Sequence, residues 1–143
     1  MSNNTQSTPK LHHGTCHCGA VQFEVSLALE GVSRCNCSIC TKTAWLGAIV
    51  KPDAFRLVKG EGDLGTYEWG HKVGKRHFCK HCGVQVFGPG SLPELGGAYV
   101  SINVNALDDE LEIHHLPVIW WDGRHNNWQA GPTQEPRKMF APA

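Results

Sequence analysis

Cys35-Asn36-Cys37-Ser38-Ile39-Cys40 is the stretch from which the rest of the chain is read. Three thiols this close in sequence are not spaced by core packing. They converge on a common partner, and thiolates favour a metal ion. Outward from this triplet, the other four cysteines form two flanking pairs, Cys16/Cys18 and Cys79/Cys82. Cys79-x-x-Cys82 has the spacing of zinc ligands, and Cys16-x-Cys18 is a tighter variant. The outer pairs together supply four thiolates, enough for a closed tetrahedral site. Roughly 60 residues separate them, far more than in a zinc finger or ribbon, so the site ties the N-terminal strand to the middle of the domain.

An internal echo supports pairing the outer cysteines. Cys18-Gly19-Ala20-Val21-Gln22-Phe23 and Cys82-Gly83-Val84-Gln85-Val86-Phe87 share a Cys-Gly start and a later Phe at the same offset. In a zinc knuckle the backbone curls until its N–H groups point at sulfur. The residue after the second cysteine then often needs positive φ, which glycine adopts without steric cost. Two knuckles that each open a strand read as matched halves of one site.

The triplet supplies three thiolates, and no eighth cysteine exists to complete it. Two completions stay open on the residues alone. Three protein ligands and a free position make a catalytic zinc site, whereas a histidine as fourth ligand makes a second structural one. His71, His77, His81, His114 and His125 are all candidates for that histidine. A metal-free dithiol at Cys37-x-x-Cys40 leaves Cys35 superfluous, and no thioredoxin-like βαβ pattern surrounds it.

Composition narrows the class. The chain has 143 residues, 41% hydrophobic and 18% charged, which suits one globular domain with a real core. Its 13 basic and 13 acidic residues balance, so no basic excess marks a nucleic-acid surface. No apolar run reaches the roughly 18 residues of a membrane span. The polar start MSNNTQSTPK lacks a signal-peptide profile and reads as a disordered leader over 1–10. The expected address is cytoplasmic, where seven cysteines are metal ligands or reactive thiols rather than disulfides.

Strands dominate the pattern. Alternation over 21–25 predicts a strand, as do 47–50, 55–58 and 84–87, and 98–104 alternates most cleanly. Residues 66–69 and 76–78 read as the arms of a hairpin turning over 70–74. Gly88-Pro89-Gly90 is expected to break the chain. A short helix is expected over 38–46 with Ser38 as cap, and one helical turn over 105–112 with Asn105 as cap. Short strands and frequent glycines make a mainly β protein with little helix, ending in a Pro-rich tail over 131–143.

Taken in order, Cys16-His17-Cys18-Gly19, then the triplet, then Phe78-Cys79-Lys80-His81-Cys82-Gly83 resemble the glutathione-dependent formaldehyde-activating enzyme family. The resemblance spans roughly residues 11 to 125 and uses all seven cysteines. It implies a β-tent fold of coiled antiparallel sheets with zinc knuckles over a single domain at 11–130. It also implies two Zn²⁺ ions: a structural one on Cys16, Cys18, Cys79 and Cys82, and a labile functional one on Cys35, Cys37 and Cys40. The implied activity is that of an S-(hydroxymethyl)glutathione synthase, a carbon-sulfur lyase joining glutathione to formaldehyde or a related small aldehyde. His71, His77, His125 and Tyr67 are candidate proton donors. The alternatives are a non-catalytic thiol-binding module and a structural zinc scaffold for a protein partner. Three positions depart from the family pattern: Asn36 where His is frequent, Thr41 before Lys42, and Val118 in the stretch leading to Trp120.

Overall fold

A computed structural model describes residues 8–109, 113 and 115–135. It is mainly β, as the sequence predicts, with one α-helix among the described residues. Strands β1 (Lys10–Thr15), β2 (Gln22–Leu27) and β5 (Phe55–Lys59) form one antiparallel sheet in the order β1-β2-β5. The second sheet has seven strands in the order β10-β3-β4-β9-β8-β7-β6. Its members are β3 (Val32–Cys35), β4 (Gly47–Val50), β6 (Leu64–Glu68), β7 (Lys75–Cys79), β8 (Gln85–Leu92), β9 (Gly97–Asn103) and β10 (Val118–Trp121). All its pairs are antiparallel except β10 with β3, which run parallel and bring Trp121 opposite Cys35.

The alternation read in the sequence decides which side chains face inward. Along β2 the buried residues are Phe23, Val25 and Leu27, and along β9 they include Val100 and Ile102. The core fills the space between the sheets. Phe23 of β2 and Phe55 of β5 meet Phe87 of β8, with ring centroids 6.0 Å and 4.4 Å from Phe87. Phe23 and Phe87 are the two echoed phenylalanines, so each knuckle is followed by an anchor that meets the other's anchor in the core. Full burial of an aromatic ring contributes roughly 1.5–3 kcal/mol.

Several local expectations fail for identifiable reasons. Gly88-Pro89-Gly90 does not break the chain but lies inside β8, paired with β9 from Gly88↔Ser101 to Gly90↔Tyr99. Gly88 is there because β7 passes so close that a Cβ would sit 1.6 Å from the Lys75 carbonyl oxygen. Proline is tolerated because the ladder to β7 has loosened to an isolated Gly74↔Gly90 bridge at this point. The helix α1 (Ser38–Thr43) is shorter than expected. Its cap is Cys37 rather than Ser38, and Ala44 ends it in the left-handed region. Asn105 does not cap a helix either: the Asn103 side chain accepts from the Asn105 N–H at the start of a 3₁₀ turn, Val104–Ala106. The rest of the 105–112 expectation falls partly on 110–112, outside the described residues. Strands β1, β3 and β10 lie outside the expected set, because His12-His13-Gly14, Val32-Ser33-Arg34 and Trp120-Trp121 do not advertise a strand on their own. The N-terminal reading is touched in one place, where β1 begins at Lys10.

Gly88→Ala should force β7 and β8 apart and cost about 3 kcal/mol, a fall of roughly 6–12 °C in the thermal midpoint for a chain of this size. Circular-dichroism melting measures it; an unchanged midpoint would show that the close approach is not maintained in solution.

Candidate metal centres and cleft

Two hairpin tips, one from each sheet, carry the outer cysteines. Cys16 and Cys18 lie in the β1–β2 turn, and Cys79 and Cys82 span the β7–β8 turn. The turns are built alike. Cys16 N–H donates to Val21 O and Cys79 N–H to Val84 O, each at 3.0 Å. Gly19 and Gly83 have φ of +86° and +79°, the conformation expected of a knuckle glycine. Backbone N–H groups then point at sulfur: Val21 to Cys16 Sγ at 3.3 Å and His81 to Cys79 Sγ at 3.4 Å.

These folds bring four sulfurs together across the sheets. All lie within 4.8 Å of one another, with Cys16 Sγ and Cys79 Sγ each 3.6–3.7 Å from Cys18 Sγ. A tetrahedron with bonds of about 2.3 Å has edges of about 3.8 Å. The donor set therefore fits a tetrahedral thiophilic cation, with no carboxylate in the group. Burial pushes Cys82 up, but N–H donors from Val84 and Cys18 outweigh it and bring it down to about 6. The Ala20 N–H favours the Cys18 thiolate, but the neighbouring sulfurs push Cys18 the other way, up to about 11, so the four thiols divide their protons unequally.

Cys35, Cys37 and Cys40 form a second group, also within 4.8 Å. Cys35 ends β3, Cys37 caps α1 and Cys40 lies on its first turn. Cys37 N–H points at Cys35 Sγ at 3.5 Å. The thiols divide their protons unequally. Hydrogen bonds from Cys35 and Cys40 hold Cys37 down to about 2, while Cys35 and Cys37 push Cys40 well above the usual thiol range. Among the described residues no histidine, carboxylate or further cysteine joins the three.

The histidines considered from sequence go elsewhere. His81 meets Asp63 at 2.7 Å, His125 meets Asp122 at 2.7 Å, and His77 Nδ1 lies 2.9 Å from Thr66 Oγ1 with its ring edge-on to Phe87. Burial lowers the His77 pKa below its ordinary value, so it is neutral at pH 7. His71 lines a cleft described below, and His114 lies outside the described residues. Tyr67 is exposed and stacks on Trp69.

Asn36 has a different part from the one its sequence position suggests. It is buried, donates to Asp122 Oδ1 at 2.8 Å and accepts from Arg124 N–H at 2.9 Å. Hydrogen bonds from Asn36, and after it His125, hold the Asp122 carboxyl down to about 2. Asn36 thereby pins the triplet turn to the 122–127 loop and does not face the cleft. Val118 packs against the core; Thr41 lies on α1 with its N–H donating to the Cys37 carbonyl, and Lys42 after it is exposed.

Two residues beside the triplet, and one in the cleft next to it, carry no sequence signal. Arg76, on β7, is buried, places Nη2 3.5 Å from Cys40 Sγ and stacks 3.6 Å over the Trp45 ring. Gly123 passes so close to Cys35 that a Cβ there would lie 2.5 Å from Sγ and 2.7 Å from the Trp128 ring. Tyr99 lines the same cleft as Arg76 and Trp128. That cleft, about 370 Å³, is also lined by Trp69, His71 and Lys75, and no carboxylate of the described residues faces it. One wall touches the triplet through Arg76 and another through the Gly123–Trp128 contact. A larger groove of about 710 Å³ lies over β3, β4 and β10, but no thiol lines it. The smaller cleft is the one with chemistry at its edge.

Comparison with known proteins gives a concordant picture. The model of the family described as glutathione-dependent formaldehyde-activating enzyme matches residues 11–123. A Halomonas elongata protein bearing the provisional name glutathione-dependent formaldehyde-activating enzyme is 38% identical over 142 residues, covering 92% of this chain and 87% of its own. The crystal structure of a Rhodobacter sphaeroides protein superposes with a TM-score of 0.62 at 30% identity, covering 74% of this chain and 98% of that one.

Gly123→Ala should displace the Cys35 sulfur and weaken metal retention at the triplet while leaving the hairpin-tip site intact. Metal-to-protein ratios after dialysis, read beside an unchanged circular-dichroism spectrum, test this; full retention would refute the tight fit.

Proposed function

We propose a function from one premise: the chain belongs to the glutathione-dependent formaldehyde-activating enzyme family. It acts as a carbon-sulfur lyase of the S-(hydroxymethyl)glutathione synthase type, joining glutathione to formaldehyde or a related small aldehyde. The observation that supports this best is three convergent thiols at the edge of a cleft, with no fourth ligand atom among the described residues. Cys16, Cys18, Cys79 and Cys82 would hold a structural Zn²⁺. Cys35, Cys37 and Cys40 would hold a functional Zn²⁺ with a position to spare. A zinc ion there supplies Lewis acidity that keeps a bound thiol ionised at neutral pH, where a free thiol of pKa about 8.5 is mostly protonated.

The chain's own residues do the rest. His71, Lys75 and Arg76 give the cleft a basic lining that suits the two carboxylates of glutathione. At about 370 Å³ the cleft falls within the roughly 300–1,000 Å³ of small-molecule sites. Holding thiolate and aldehyde side by side accelerates their union by proximity. A sulfur lone pair forms the C–S bond, the C=O π pair moves to oxygen, and the resulting alkoxide takes one proton. Burial raises the Tyr99 pKa, so its hydroxyl stays protonated at neutral pH and is the proposed donor. His77 is not, because strand alternation points it away from the face that Arg76 presents to the cleft. Seven cysteines used as metal ligands rather than disulfides suit a cytoplasmic address, and a single domain over 11–130 accommodates both sites.

Glutathione titrated into the cobalt-substituted protein should perturb the thiolate-to-metal bands of one site only. Exchange NMR of glutathione and formaldehyde should show faster adduct formation with protein present. Unchanged bands at millimolar glutathione would reject the reading, and altered bands with an unaltered rate would leave a thiol-binding module. Cys82→Ser is expected to unfold the chain, since a structural metal site contributes on the order of 10 kcal/mol to folding. Cys37→Ser should stay folded and lose thiol binding; equal thermal destabilisation of the two variants would overturn the division between sites.

A further inference from the structure

Arg76 is a buried cation with no carboxylate partner among the described residues. Its Nη2 reaches Cys40 Sγ at 3.5 Å, and its guanidinium lies 3.6 Å over Trp45 and 5.3 Å from Trp69. Its buried Nη1 has no hydrogen-bond partner among the described residues. A charge removed from water is costly unless an opposite charge compensates it. Among the described residues the group in contact with Arg76 that can become an anion is the Cys40 thiol, so its counter-charge comes from the cysteine cluster once those thiols ionise on a metal.

That pairing bears on a charge problem. Three thiolates already bring a Zn²⁺ site to a formal −1, and a fourth anionic ligand brings it to −2. Two like charges in one partly buried site repel strongly. Resting on the function proposed above, we infer that Arg76 is the specificity-determining residue that lets the triplet take an anionic fourth ligand in preference to a neutral one. Its positive charge stands beside Cys40 before any ligand arrives, and no described acidic side chain is in place to neutralise it. The Trp45 ring, with Trp69 further off, holds the guanidinium by cation–π contact while leaving its charge unspent. Arg76 touches the metal-binding sulfur rather than the reacting atoms, so it is a positioning residue.

The test compares ligands of different charge on the cobalt-substituted full chain, followed by visible absorption. Azide is the anionic probe and imidazole the neutral one. Arg76→Met should weaken azide binding tenfold to hundredfold and leave imidazole within about twofold, while Arg76→Lys should keep most of the azide affinity. If Arg76→Met does not fold, Arg76→Gln, which retains a donor for Cys40 without the charge, carries the same expectation. Equal weakening of both probes would show a merely structural arginine and overturn the inference. So would unchanged azide binding in the charge-free variant, or a wild-type site that refuses azide. A wild-type protein that binds azide through Arg76 yet does not speed glutathione–formaldehyde adduct formation would instead overturn the proposed function and leave this inference standing.

Discussion

The closure of four cysteines across two hairpin tips is the constraint from which the rest of the structure follows. Each tip belongs to a different sheet, so holding the sulfurs within 4.8 Å fixes how the sheets meet. The knuckles do this with backbone rather than with bulk. A glycine at positive φ and matched bonds to Val21 and Val84 turn the N–H groups toward sulfur. Five residues beyond Cys18 and Cys82, Phe23 and Phe87 leave the knuckles on inward-facing strand positions and meet in the core. Convergence of the four thiols and hydrophobic burial thus favour the same arrangement, which is the consistency that gives a chain one structure.

The triplet is seated by a different logic. Its residues come from a strand end and a single short helix, local structure too small to be rigid alone. Rigidity comes from chain far away in sequence. The parallel pairing of β10 with β3 places Trp121 beside Cys35, and Asn36 is then locked onto Asp122 and Arg124. Gly123 packs so closely against the Cys35 sulfur that any side chain there would intrude. The C-terminal segment therefore acts as the back wall of the triplet.

The two centres differ in electrostatics as well as in ligand number. The hairpin-tip site is ringed by backbone N–H groups, which stabilise sulfur anions with partial charges. The triplet has a full positive charge beside it, Arg76 in cation–π contact with Trp45, and that charge also lines the adjoining cleft. Cation–π contact holds a guanidinium without consuming its charge, as a carboxylate would. Field and open space together make the second centre the reactive one in the proposal made here.

The cysteine spacings, the Cys-Gly echo and the period-2 runs determined by themselves that the chain is mainly β and which thiols belong together. These signals are local: a ligand spacing, a positive-φ glycine and an alternating strand each fit within a few residues. The run Gly88-Pro89-Gly90 misled because its meaning lies in a neighbouring strand, the Lys75 backbone that only a glycine can approach. Asn36 likewise showed a departure at a family position but not its partner, since Asp122 is 86 residues away. Arg76 stood unremarked between Lys75 and His77, because a strand arginine is ordinarily a solvated one. Only tertiary structure decided that its charge is buried against a sulfur, since burial and the choice of counter-ion are set by which distant strands come to lie beside it.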